Sequence, residues 1–162
     1  MWGKKKKQSP EAGCQAPSFK LKSMDGSPQS LEEILAKGPA LLAFFKVGCP
    51  VCQFALPYLE RLADSSSLQI IAISQDDEAA TTGFRQRFGI TFPTLLDQSK
   101  EGYPASNAYG LTSVPSLFLV EKTGEIAMAS AGFAKRDFES LGQRAGIQPF
   151  RPDENVPEWK AG

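Results

Sequence analysis

Ala40-Leu41-Leu42-Ala43-Phe44-Phe45-Lys46-Val47-Gly48-Cys49-Pro50-Val51-Cys52 carries the chain from one kind of secondary structure into another. The first six residues are apolar without alternation, as in a strand covered on both faces. From Cys52 onward the apolar residues fall at Phe54, Leu56, Leu59 and Leu62, a helical rhythm. The two cysteines therefore stand where a strand ends and a helix begins. Backbone N–H groups at a helix start are unpaired and carry partial positive charge, which favours a thiolate. Cysteines one turn apart also meet the separation a disulfide requires. The pattern suits a dithiol that opens and closes. Taken alone it also suits part of a zinc site or a structural staple.

Composition narrows those three. At 162 residues the chain has the size of one domain with a substantial core, so it needs no staple. Its three cysteines are an odd number and too few to form a scaffold. There is no histidine, which removes imidazole ligands and every Ser/His or Cys/His catalytic pair. A structural zinc site takes four ligands, and only Cys14 remains as a third sulfur, so no metal is expected. Basic and acidic side chains balance at 18 each, so net charge selects neither nucleic acid nor a membrane surface. No apolar run approaches the length of a membrane span.

Met1-Trp2-Gly3-Lys4-Lys5-Lys6-Lys7 is similar to the basic start of a secretion signal, but the apolar segment that should follow is replaced by Gln8-Ser9-Pro10-Glu11. Ala12-Gly13-Cys14 is similar to the end of a lipoprotein signal and meets the same objection. As written, the chain reads as cytoplasmic; a removed signal would make it periplasmic or membrane-anchored. Residues 1–15 are expected to form a flexible arm, with Cys14 a free thiol upon it.

Residues 16–146 read as the folded domain. Phe19-Lys20-Leu21 predicts a short strand, Asp25-Gly26 a turn, and Ser30 with Glu33 a capping box on a short helix that Gly38-Pro39 ends. Strand 40–46 precedes a helix running to about Asp64, with Pro57 inside it. Residues 68–74 predict a second central strand. Asp76 and Asp77 open a helix that reaches Phe88 and stops at Gly89, with Asp76 expected as the cap. Thr94–Leu96 predicts a short strand, and Tyr103 to Tyr109 a short helix with its tyrosines in the core. Ser116–Val120 and Ile126–Ala131 form a hairpin around Lys122-Thr123-Gly124-Glu125, and helix 135–145 closes the domain. The tail, 147–162, carries three prolines with Phe150 and Trp159, and is expected to be disordered rather than docked. Parallel crossovers followed by an antiparallel hairpin predict an α/β three-layer sandwich around a central mixed sheet, with an N-terminal strand and short-helix extension.

Four features, in this order, resemble the thioredoxin-like superfamily. They are Cys49-Pro50-Val51-Cys52 after an apolar strand, Pro57 five residues beyond Cys52, Val114-Pro115-Ser116 entering the hairpin, and the opening Ala16-Pro17-Ser18-Phe19. Within the superfamily they look most like the redoxin branch: TlpA-type thiol-disulfide oxidoreductases, related to AhpC/TSA. The resemblance covers roughly residues 14 to 146 and implies a thioredoxin-like fold. Read from its residues alone, Pro115 is a trans proline opening a strand. The resemblance implies a cis peptide instead, with Val114 offering backbone to a bound substrate and Pro115 shielding the sulfurs. Gly48, Pro50 and Val51, beside the sulfurs, complete the expected substrate-binding set.

The chemistry follows from position. Cys49, at the helix cap, is expected to attack a substrate disulfide; Cys52, one turn inside, is expected to resolve the mixed disulfide. Pro50 suits the first helical position, where its missing N–H costs nothing. No cofactor is expected beyond the Cys49–Cys52 disulfide. The expected partners are proteins carrying disulfides or dithiols and a redox partner that recharges the pair, with the chain a monomer. Gly48 stands where thioredoxins usually have tryptophan. Ala43, six residues before Cys49, stands where thioredoxin has a buried aspartate, and no local carboxylate replaces it. Lys46 is the nearest charge in sequence. Peroxiredoxins place Thr or Ser three residues before their peroxide-reducing cysteine and Pro seven before; here those positions are Lys46 and Leu42. A peroxidase using Cys49, and a non-catalytic binding protein, remain as alternatives.

Overall fold

A computed structural model describes residues 8–162; the lysine run at residues 4–7 lies outside the described residues. β3 (Ala40–Phe45) is buried along its whole length, and its alternate residues divide the core. Leu41, Ala43 and Phe45 join one apolar cluster, with Leu56 and Leu59 of α2 (Pro50–Glu60), Phe84 of α3 (Glu78–Phe88), and Phe138 and Leu141 of α5 (Lys135–Ala145). Ala40, Leu42 and Phe44 join the other, with Leu31, Ile34 and Leu35 of α1 (Leu31–Ala36), and Ala105 of α4 (Pro104–Ala108). An unbroken apolar strand with a helix layer on each face is what the period-two geometry of a strand demands here. Each such large aliphatic side chain, fully buried, is worth about 1.5–3 kcal/mol.

The sheet has seven strands in the order β2-β1-β5-β4-β3-β6-β7. β4 (Gln69–Ser74) runs parallel to β3 and to β5 (Thr94–Leu96). β6 (Ser116–Val120) lies antiparallel to β3 and to β7 (Ile126–Ala131). The extension β1 (Lys20–Ser23) pairs antiparallel with β5 and with β2 (Pro28–Ser30). The thioredoxin-like three-layer α/β/α sandwich is therefore present, mixed sheet and N-terminal extension included. Ser30 and Glu33 form the capping box on α1.

The structure departs from the sequence reading at several places. α2 ends at Glu60, not near Asp64; beyond it Leu62, Ala63 and Ser65 donate three residues back, tightening the last turn. β2 was not anticipated, because Pro28 opens it at the sheet edge, where a missing N–H costs no ladder bond. Asp77, not Asp76, caps α3 by accepting the Ala80 N–H at 2.8 Å.

The ends of the described chain are not free. Ser9 donates its hydroxyl to the Tyr109 carbonyl at 2.9 Å, and Gly13 N–H and the Cys14 carbonyl each bond Ile126 at 2.8 Å. β7 is an edge strand with open backbone groups, and residues 13–16 cover its start. The tail departs from the expected disorder. Phe150 and Val156 are buried against the α2 and α5 side of the core, and Phe150 lies 5.0 Å from the Tyr58 ring. Arg61 holds Glu154 through a two-pronged ion pair at 2.6 and 2.9 Å and donates to the Pro149 carbonyl at 2.8 Å. β9 (Trp159–Lys160) then pairs antiparallel with β8 (Phe133–Ala134). Three prolines were poor evidence for disorder once one aromatic had a core to enter.

Candidate active site

Cys49 is the N-cap of α2. Its backbone is extended (φ −84°, ψ 116°), and its Sγ accepts the Cys52 N–H at 3.2 Å. An N-cap is usually an oxygen of Ser, Thr, Asp or Asn; here a sulfur takes that place. A thiolate accepts such a bond more strongly than a thiol, and the positive end of the helix acts in the same sense. Pro50 occupies the first helical position, as its spacing predicts. Cys52 sits one turn in, wholly buried in the apolar cluster that includes Ala43, Ala55 and Leu56. Burial first, and the neighbouring Cys49 thiol second, push the Cys52 thiol far above the ordinary cysteine range. The two cysteines are therefore unlike: one half-exposed at a helix end, the other protonated and enclosed.

The loop before Cys49 is clamped from both sides at one residue. Val47 N–H donates to the Asp76 carboxylate at 2.7 Å, and the Val47 carbonyl accepts the Gln53 side-chain amide at 3.0 Å. Asp76 is fixed in turn: its N–H donates to the Ser74 hydroxyl at 3.1 Å, which pairs with the Thr81 hydroxyl at 2.7 Å. Sequence reasoning assigned Asp76 to the helix cap and did not single out Gln53. The available signal was the doubled aspartate after β4, since a cap needs only one.

On the far side of the cysteines the Val114–Pro115 peptide is cis, and Pro115 is buried. Ser116 closes the turn by donating its hydroxyl to the Ser113 carbonyl at 2.8 Å, and Gly132 N–H donates to the Pro115 carbonyl at 2.8 Å. The Val114 carbonyl faces the dithiol, with the Cys49 thiol donating to it at 3.5 Å. Asp97, fully buried at the end of β5, steadies the approach to this turn. It accepts the Ala105 and Ser106 N–H groups at 2.9 and 2.7 Å at the start of α4. The fold thus brings Val114 to Cys49, whose neighbours in the chain are Gly48, Pro50 and Val51. Gly48 and Pro50 are exposed; Val51 and Val114 are half-buried. Among the described residues, the remaining polar groups do not aim at the sulfurs through any hydrogen bond of their side chains. Lys46 is exposed, Glu60 accepts the Thr91 N–H at 3.0 Å, and Cys14 is exposed beside β7.

A sheet with this strand order, a cap-position cysteine and a cis-proline turn against it define a thioredoxin-fold protein. The chain belongs to the AhpC/TSA family, which it matches over residues 12–129. It is 31% identical over 125 residues to the thiol-disulfide oxidoreductase ResA of Halalkalibacterium halodurans, spanning 75% of this chain and 69% of that one. It is 30% identical over 143 residues to the thioredoxin-like protein YneN of Bacillus subtilis, spanning 83% and 81%. Among solved structures, the thioredoxin domain of a thiol-disulfide oxidoreductase from Bacteroides vulgatus superposes with a TM-score of 0.74. That likeness covers 85% of this chain and 99% of that one at 19% identity, and it speaks for the fold. No helix among the described residues is long and apolar enough to cross a membrane.

Proposed function

We infer that this protein is a thiol-disulfide oxidoreductase that exchanges disulfides with protein substrates through Cys49 and Cys52. One observation carries the assignment of roles: the Cys49 sulfur caps α2 through the Cys52 N–H, while the Cys52 sulfur is buried and held protonated. Cys49 attacks a substrate disulfide as the thiolate. The substrate S–S bond breaks, a Cys49–substrate disulfide forms, and the first substrate sulfur departs as a thiolate, which accepts the Cys52 proton. Cys52 then loses its proton and attacks the Cys49 sulfur. The Cys49–Cys52 bond forms, the second substrate sulfur leaves as a thiolate and takes a proton from water, and two electrons have passed to the substrate. With Ala43 at the position where thioredoxin has aspartate, the departing substrate thiolate is the ready acceptor for the Cys52 proton. Run backwards, the same steps oxidise a dithiol.

Val114 offers its carbonyl beside the attacking sulfur, so an extended substrate segment can pair with backbone there while its disulfide meets Cys49. Gly48, Pro50 and Val51 provide the surface on the other side. The partners are proteins with accessible disulfides or dithiols and a second redox carrier that restores the pair; no cofactor is required.

The test is turnover of a disulfide-bearing protein by the chain and by Cys49→Ser, beside a peroxide arm. Disulfide reduction abolished in Cys49→Ser supports the proposal. Rapid peroxide turnover that survives Cys52→Ser but not Cys49→Ser would replace it with a peroxidase. The reduction potential then gives direction: below about −250 mV the protein reduces its partners, and above about −150 mV it oxidises them.

A further inference from the structure

The end of the described chain returns to the dithiol. After pairing with Phe133 and Ala134, residues 160–162 run against the Val114–Pro115 turn. Two glycines permit the approach. A Cβ on Gly162 would lie 2.4 Å from the Val114 carbonyl oxygen, and one on Gly132 would lie 2.4 Å from the Lys160 carbonyl oxygen; neither contact is sterically possible. Gly132 has a φ of +73° and also donates its N–H to the Pro115 carbonyl, so a single corner binds the turn and receives the tail. The Val114 carbonyl thus has the Cys49 thiol on one side and the Gly162 backbone on the other. Lys160 meanwhile sets its ammonium 5.1 Å from the ring centre of Phe54, on the helix that carries both cysteines.

We propose that residues 159–162 are a resident strand on the substrate edge, which an extended protein substrate must displace to reach the Val114 backbone. The inference rests on the disulfide-exchange reading and adds a selectivity element to it. A small disulfide needs only the Cys49 sulfur and leaves the strand in place. A protein substrate needs the backbone edge and competes with it. The strand is built to yield. β9 is two residues long, Trp159 is 61% exposed, and Ala161 and Gly162 are exposed, so little apolar surface holds it down. The firm anchors, Phe150, Val156 and the Arg61–Glu154 pair, lie upstream and stay when the strand lifts.

The experiment compares reduction of insulin with reduction of a soluble aryl disulfide by the intact chain, by a deletion of residues 159–162, and by Gly162→Val. The valine keeps the length and forces the segment away from Val114. A strand that leaves the edge free about one tenth of the time predicts an insulin rate about tenfold higher in both variants, with the aryl disulfide rate unchanged. An insulin rate that stays level or falls, or a rise shared equally by both substrates, overturns the proposal. If the intact chain neither reduces these two disulfides nor, in its disulfide form, oxidises the corresponding dithiols, it is the oxidoreductase reading that fails, and the resident strand falls with it. Gly162→Val alone decides the matter if the deletion fails to fold.

Discussion

The Cys49 thiol points at the Val114 carbonyl oxygen, 3.5 Å away across 65 residues of sequence. β3 delivers the first and β6 follows the second, and these strands are neighbours in the sheet. The Cys49 sulfur and the Val114 carbonyl are therefore brought together by one strand pair.

The Asp76 carboxylate holds the peptide two residues before Cys49. Asp76→Ala leaves the Val47 N–H without its acceptor and should cost about 1.5–3 kcal/mol, the range for a hydrogen bond to a charged group. The exchange rate should fall about tenfold as the cap sulfur loses its fixed position. Asp76→Asn, which keeps an acceptor oxygen, should recover most of both. Urea unfolding and single-turnover disulfide reduction provide the check; a stability loss with an unchanged rate would reduce Asp76 to a structural residue.

The two active-site thiols should be chemically distinct in the reduced protein. Cys52 is buried and its thiol raised above the ordinary value of 9.0, so alkylation at neutral pH should mark Cys49 and exposed Cys14 and spare Cys52 until the chain is unfolded. A raised thiol favours the folded state below the unfolded value and loses that advantage above it. Stability of the reduced protein should therefore decline as pH rises past 9.0, and less steeply in Cys52→Ala. Mass mapping and alkaline unfolding curves test these two statements separately.

The Arg61 guanidinium beside Glu154 holds that carboxyl down from the usual 4.5 to about 2. A depressed carboxylate contributes above its unfolded value and loses the contribution as pH falls through the folded one. Amides of residues 149–156 should thus keep their exchange protection at pH 7 and lose it selectively between about pH 4.5 and 2. In Glu154→Gln the protection should be weaker at neutral pH and insensitive to acid over that window. Phe150→Ala should remove the same anchor by a different route, at about 3 kcal/mol.

The layers of this fold were legible because β3 is apolar end to end, β4 is apolar through Ile70–Ile73, and the helices keep a clear period. The dithiol was legible because its place at a strand-to-helix junction restricts what two cysteines can do. What stayed hidden was held by single side chains acting over distance. Asp76 and Asp77 are equivalent candidates for a cap in sequence, and only the position of Val47 separates them. Asp97 has no local pattern, since its partners lie across a loop. The tail failed for a different reason: proline content describes the local backbone, whereas docking depends on Phe150 finding the space between α2 and α5.

The most direct test of the division of labour between the cysteines is capture of the intermediate. Cys52→Ser, incubated with a disulfide-bearing protein, should accumulate a mixed disulfide that peptide mapping places at Cys49, and Cys49→Ser should accumulate none. A mixed disulfide found at Cys52 in the Cys49→Ser chain, formed as fast as that at Cys49, would contradict the assignment of Cys49 as the attacking sulfur.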